Sequence, residues 1–184
     1  HTTNVQVQYL TGLPADNYIS FAVAEYFLRG VSFKKERPIL PVVEVSNRTI
    51  MMSLVSLPFR VALGAPRDHP RLGTYNYIGR EWPDVSKLNT GDSFDQFAVV
   101  GLVLNSLLLV GLFVFCSSLG ANSILPVAAI LYITNPYFIA QTIYTWPKAL
   151  AGFFILLAWT SVRSGHGPLV VAVLMALAYH AHPY

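Results

Sequence analysis

A carboxylate and an ammonium stand at the two places in this sequence where chemistry at a membrane surface would need them. Asp16 opens the segment DNYISFAVAEYFLR, and a carboxylate at a helix N-terminus can take the proton of a hydroxyl or orient it. The same residue type also makes a plain N-cap, so Asp16 carries both readings. Lys148 follows Trp146-Pro147 at the head of an apolar run, where an ammonium suits a lipid phosphate. A snorkelling anchor beside Trp146 would use the same lysine equally well. Arg48 can hold phosphate or simply begin a surface helix.

Other polar residues point to less. Glu25 is placed away from the Ile19 and Val23 stripe and reads as a solvated helix residue. His180 and His182 are two apart and do not share a helix face, which favours an interfacial polar pair over a metal site. Asn47-Arg48-Thr49 fits the short glycosylation pattern, and nothing is built on it. The sequence has no glycine-rich phosphate loop, no cysteine and histidine zinc spacing and no nucleophile elbow, so neither a metal nor a cofactor is expected.

The elements that must position these groups are set by residues 97–116, FAVVGLVLNSLLLVGLFVFC, broken only by Asn105 and Ser106. About 20 residues at 1.5 Å each cross a hydrocarbon core of roughly 30 Å. Charge segregation agrees with a membrane protein. All 9 acidic residues and all but two of the 12 Lys and Arg precede residue 96, leaving Lys148 and Arg163 as the only formal charges beyond it. The chain is 54% hydrophobic and 11% charged, outside the range of soluble domains. Its net charge of +3 comes from few, scattered groups and carries no basic stripe, which excludes a nucleic-acid partner. The single Cys116 falls in the apolar run and says nothing of redox compartment.

Two regions follow: an extracytoplasmic first loop, residues 1–95, and a set of transmembrane helices, residues 96–184. The fold expected is all-α and polytopic, with the lipid bilayer as its first partner. Residues 1–8 suit a short extended stretch. A helix is predicted over 17–29, with Asp16 at its N-cap and Gly30 as its stop. Pro38 and Pro41 keep 33–45 extended. Asn47 caps a second helix over 48–63, kinked at Pro58 and closed by Gly64. That helix is apolar on nearly every side and belongs on other helices or, the preferred reading, in the membrane interface. Residues 65–94 show no period and are expected to form a long loop.

Beyond the long span, apolar runs are predicted over 123–134, stopped at Asn135-Pro136, over 149–162, with Pro147 at the first helical position, and from 169 to 179. The stretch 135–146 must emerge at one surface, because a lipid-exposed break would strand backbone groups. Counting turns puts 1–95, 135–148 and 180–184 on the same side. The chain opens on HTTNVQ and stops at HAHPY as an apolar run ends, so it is expected to be part of a longer protein with a span ahead of it.

The order of parts resembles the GT-C fold of polyprenyl-phosphate-sugar-dependent glycosyltransferases, such as the protein O-mannosyltransferases and bacterial lipid A aminoarabinose transferases. The resemblance lies in LPADNYISFAVAEYFLRG, in NRTIMMSLVSLPFRVALG and in NPYFIAQTIYTWPKALAGFFILLA between two spans. It implies that Asp16 is the essential acidic residue of the first loop. A second acidic residue common in the family is Asn17 here, and another that opens the helix after residue 148 is replaced by Lys148. The implied donor is a polyprenyl-phosphate-linked sugar. The implied acceptor is a hydroxyl on a glycan, lipid or protein, and the implied location is the bacterial inner (plasma) membrane with the first loop facing the periplasm or exterior. Asp16 would deprotonate or orient the acceptor, and Lys148 with Arg48 would offset charge on the departing phosphate. Tyr144 and Trp146 would hold the sugar or the lipid near the interface. Two other readings stay open, a polytopic transporter component with the break at 135–147 lining its path, and a non-catalytic membrane assembly subunit.

Overall fold

The computed structural model describes residues 14–32, 50–68, 71, 73–77, 80–83, 85–88, 92–143 and 147–182. They are predominantly helical and divide into two compact units, His1–Val100 and Gly101–Tyr184.

In the first unit, α1 runs over Pro14–Arg29. It ends at Gly30, whose φ of +64° is open to glycine at no steric cost, and the Val31 N–H reaches back to the Tyr26 carbonyl at 2.9 Å. The start is a correction: the helix begins at Pro14, so Asp16 is its third residue and not its N-cap. Proline needs no N–H partner in the first turn, which lets the helix open before the aspartate.

The second helix, α2, spans Met51–Ala62 with Pro58 inside it. It closes the same way at Gly64, with φ of +76° and the Ala65 N–H on the Arg60 carbonyl at 2.9 Å. Its N-cap is Ile50, which makes no side-chain cap bond. Asn47 and Arg48, expected to open it, lie outside the described residues, as do the extended stretches 1–8 and 33–45.

The predicted long loop over 65–94 is also corrected. It holds an antiparallel hairpin, β1 (Thr74–Tyr77) paired with β2 (Arg80–Pro83), in a register that sets Tyr75 opposite Trp82, followed by a 3-10 turn over Val85–Leu88. Four-residue strands are too short to show a period, although Tyr75, Tyr77 and Trp82 are of the residue types that strands favour.

The helix α3 covers Ser93–Ser118, and its residues up to Val100 belong to the first unit. Among the described residues it is the one helix long and apolar enough to cross a membrane. Only 28% of its most apolar stretch is buried, whereas the core helix of a soluble protein would be mostly covered.

In the second unit, a 3-10 turn over Asn122–Ile124 leads into α4 (Leu125–Thr134), then α5 (Pro136–Ile143), α6 (Lys148–Arg163) and α7 (Pro168–Ala181). The last two pack side by side. Asn135 ends the apolar run, as the sequence predicts, and makes a bend there: α4 and its 3-10 turn meet α5 at 70°. Asn135 is extended, its Oδ1 accepts the Tyr137 N–H at 2.9 Å and Pro136 follows at the first helical position, so the break is itself a helix cap. Pro147 is likewise the N-cap of α6, with Lys148 as first helical residue.

Glycine lets α3 and α6 approach closely within this unit. A Cβ on Gly111 would stand 2.9 Å from the Phe153 ring, and one on Gly152 would stand 3.1 Å from Leu108. Small residues at such crossings are the usual basis of helix packing where water supplies no driving force. At one end of the pair Arg163 donates from Nε to the Ser118 carbonyl at 3.0 Å, a cation on the C-terminus of α3.

Candidate functional site

The most constrained polar group in the first unit is Glu25. The expectation that it faces water is overturned, because Glu25 is 0% exposed and every residue of α1 from Ile19 to Tyr26 is buried. That stretch of helix offers no solvated position, so an ionised group on it must find a counter-charge. Glu25 has two. Its Oε2 accepts a hydrogen bond from Arg29 Nε one turn later, and its Oε1 is in ion-pair contact with Arg60 Nη1 from α2.

Each arginine also binds something else. Arg29 donates from Nη2 to the Leu88 carbonyl at 2.9 Å, tying α1 to the Val85–Leu88 turn. Arg60, 0% exposed, lays its guanidinium over the Phe21 ring with 5.6 Å between its carbon and the ring centre. The opposite demands on Phe21 come from α3: its ring meets Phe94 and Phe97 edge-on at 5.3 and 5.8 Å. Ser53 donates to the Ser20 carbonyl and Ser56 to the Ser53 carbonyl, each at 2.7 Å, so small polar residues line the α1–α2 contact.

Both oxygens of Glu25 face guanidinium groups, which makes it a holder of helices and not a proton acceptor. The three charges sum to +1, and Arg60 Nε and Nη2 have no hydrogen-bond partner among the described residues. The sequence carried a partial signal, the Glu25 and Arg29 spacing of four on one helix. Arg60 stands 35 positions beyond Glu25 on another helix, and no spacing rule reaches it.

The five residues singled out for chemistry do not fall in one unit. Asp16 is in the first turn of α1, in the first unit, and Lys148, half-buried, opens α6 in the second. Arg48, Tyr144 and Trp146 lie outside the described residues. Among the described residues no group of histidine, cysteine, aspartate and glutamate side chains is arranged to hold a metal, and His180 lies in the last turn of α7 while His182 follows its end.

A second polar cluster sits inside the apolar unit. The Thr142 hydroxyl donates to the Phe138 carbonyl at 2.8 Å, which leaves the Tyr132 hydroxyl, 3.0 Å away, to donate to it. Asn105 Nδ2 reaches the Thr142 carbonyl at 3.5 Å, and Tyr132 stacks on Phe138 at 5.1 Å. These contacts fold α5 back against α3 and α4. No protein-family model matches the chain, and neither a curated protein nor a solved structure does.

Proposed function

We propose that this protein is a polytopic membrane glycosyltransferase of the GT-C type, moving a sugar from a polyprenyl-phosphate donor to an extracytoplasmic hydroxyl. One observation carries the reading beyond resemblance: α1 bears a carboxylate in its first turn and is held by Phe21 on Phe94 and Phe97, at the head of the helix able to cross a membrane. Asp16 is five residues before Phe21, about 7.5 Å along the helix axis at 1.5 Å per residue. On this reading the carboxylate works where a lipid phosphate and a water-borne hydroxyl meet.

In the reaction, Asp16 takes the acceptor proton as the acceptor oxygen forms its bond to the anomeric carbon. The bond from that carbon to the phosphate oxygen breaks, and polyprenyl phosphate departs with the electron pair. Lys148, at the start of α6, offsets that charge together with Arg48, and Tyr144 and Trp146 hold sugar or lipid. The setting is the bacterial inner membrane, with the first unit on the periplasmic or outer side.

The test is transfer of labelled sugar from a polyprenyl-phosphate donor by the protein in membranes. Asp16→Asn is expected to lower kcat by about 100-fold or more with the helix retained, and Lys148→Gln to weaken use of the donor. Undiminished transfer by Asp16→Asn removes that residue from the mechanism.

A further inference from the structure

The helix α2 is inside out. Its only polar residues, Ser53, Ser56 and Arg60, are all buried, against the Ser20 carbonyl, Glu25 and Phe21 of α1. Apart from the buried Met52, its apolar residues are turned outward in large part: Leu54, Phe59, Val61 and the following Leu63 are exposed, at 49% for Phe59 and 54% for Leu63, as is Ile50 before it. An ordinary surface helix turns the opposite stripe to water. Charge pairing with Glu25 fixes this orientation, because rolling α2 over would take Arg60 from its carboxylate and leave Glu25 facing fewer cations.

We infer that the outward face of α2 docks in the interface of the lipid bilayer. The inference rests on the membrane reading above but not on sugar transfer. Three observations favour lipid as the occupant. The unit that carries α2 also holds the head of the apolar crossing helix, seated through Phe21, Phe94 and Phe97, and Val99 there is 57% exposed. The face has no charged residue, which suits acyl chains. The segment leaving it carries exposed Arg67 and Arg71 with Asp68 between them, a net positive charge that suits anionic headgroups.

Single cysteines at Leu54, Val61, Arg67 and Leu102, in a Cys116→Ala background, would carry nitroxide labels on the whole protein in phospholipid vesicles containing phosphatidylglycerol. All four positions are exposed, so the labels leave the packing intact. The measured quantity is the ratio of collision with dissolved oxygen to collision with a water-soluble nickel chelate. The expected result is a ratio at Leu54 and Val61 several-fold above that at Arg67 and near that at Leu102. A ratio at Leu54 and Val61 equal to that at Arg67, with Leu102 in lipid, overturns the docking and spares the membrane reading. Exclusion of both reagents with label-to-label broadening assigns the face to a second copy and also overturns it. Water access at Leu102 removes the membrane reading with it.

Discussion

The guanidinium of Arg60 meets both a carboxylate and an aromatic face, pairing with Glu25 and standing 5.6 Å from the centre of the Phe21 ring. This one side chain couples α2 to α1, and through the Phe21 ring to Phe94 and Phe97 of α3.

The two partners in that coupling are not equivalent. Glu25→Gln leaves Arg29 and Arg60 buried without their anion, and is expected to destabilise the first unit by about 3–5 kcal/mol. Arg60→Met leaves Glu25 still paired with Arg29 and fills the space with an apolar chain, so its cost is expected to be clearly smaller. Thermal unfolding of both variants in detergent micelles, followed by circular dichroism, gives the order. An equal or larger loss in Arg60→Met contradicts the account.

Gly111 sets the distance between α3 and α6. Gly111→Leu is expected to cost about 1–3 kcal/mol by overpacking against Phe153, with Gly111→Ala costing less, since only the edge of one ring must move. The measurement is midpoint of unfolding in a mild detergent titrated with a denaturing one. A leucine tolerated as well as alanine would mean that the crossing is looser than these contacts.

The bend at Asn135 depends on one side-chain cap. Asn135→Ala is expected to free the Tyr137 N–H and destabilise α5 by about 0.5–2 kcal/mol, and Asn135→Asp to preserve the cap. Amide hydrogen exchange at Tyr137 reports it directly, faster in the alanine variant and unchanged in the aspartate one. Equal protection in all three proteins would place the cause of the bend elsewhere.

How much of this was legible beforehand varied with the physics of each element. The long helix around residues 97–116 and the glycine stops at Gly30 and Gly64 follow from length and from backbone conformation, both local properties. The hairpin over residues 74–83 hid because its strands are only four residues each. Asn135-Pro136 was ambiguous because the same dipeptide ends one helix and caps another. Glu25 was misread because its partner Arg60 comes from a different helix, and a hydrophobic pattern cannot tell a charged residue facing water from one facing a counter-charge. The order of α2 along the chain was clear, but its roll was not, since an apolar-rich helix looks alike whichever side packs. Of the candidate site, Asp16 was found as a helix-start residue from the amphipathic run after it and Lys148 from Pro147 before it, each with the helix beginning at a slightly different residue than expected.

The contact of Phe21 with Phe94 and Phe97 bears on how the protein can be taken apart. By charge alone, the natural cut is just before the apolar run, giving a polar piece to be handled in water. That piece would lose Phe97, one of the two rings against which Phe21 is seated, and it would keep an α2 whose outer surface is Leu54, Phe59, Val61 and Leu63. A dissection that respects the packing carries the first turns of α3 through Val100 with the first unit, in detergent. The place where charge ends and the place where the folding unit ends differ by about one turn of helix, and that turn holds Phe97, half of the aromatic seat of α1.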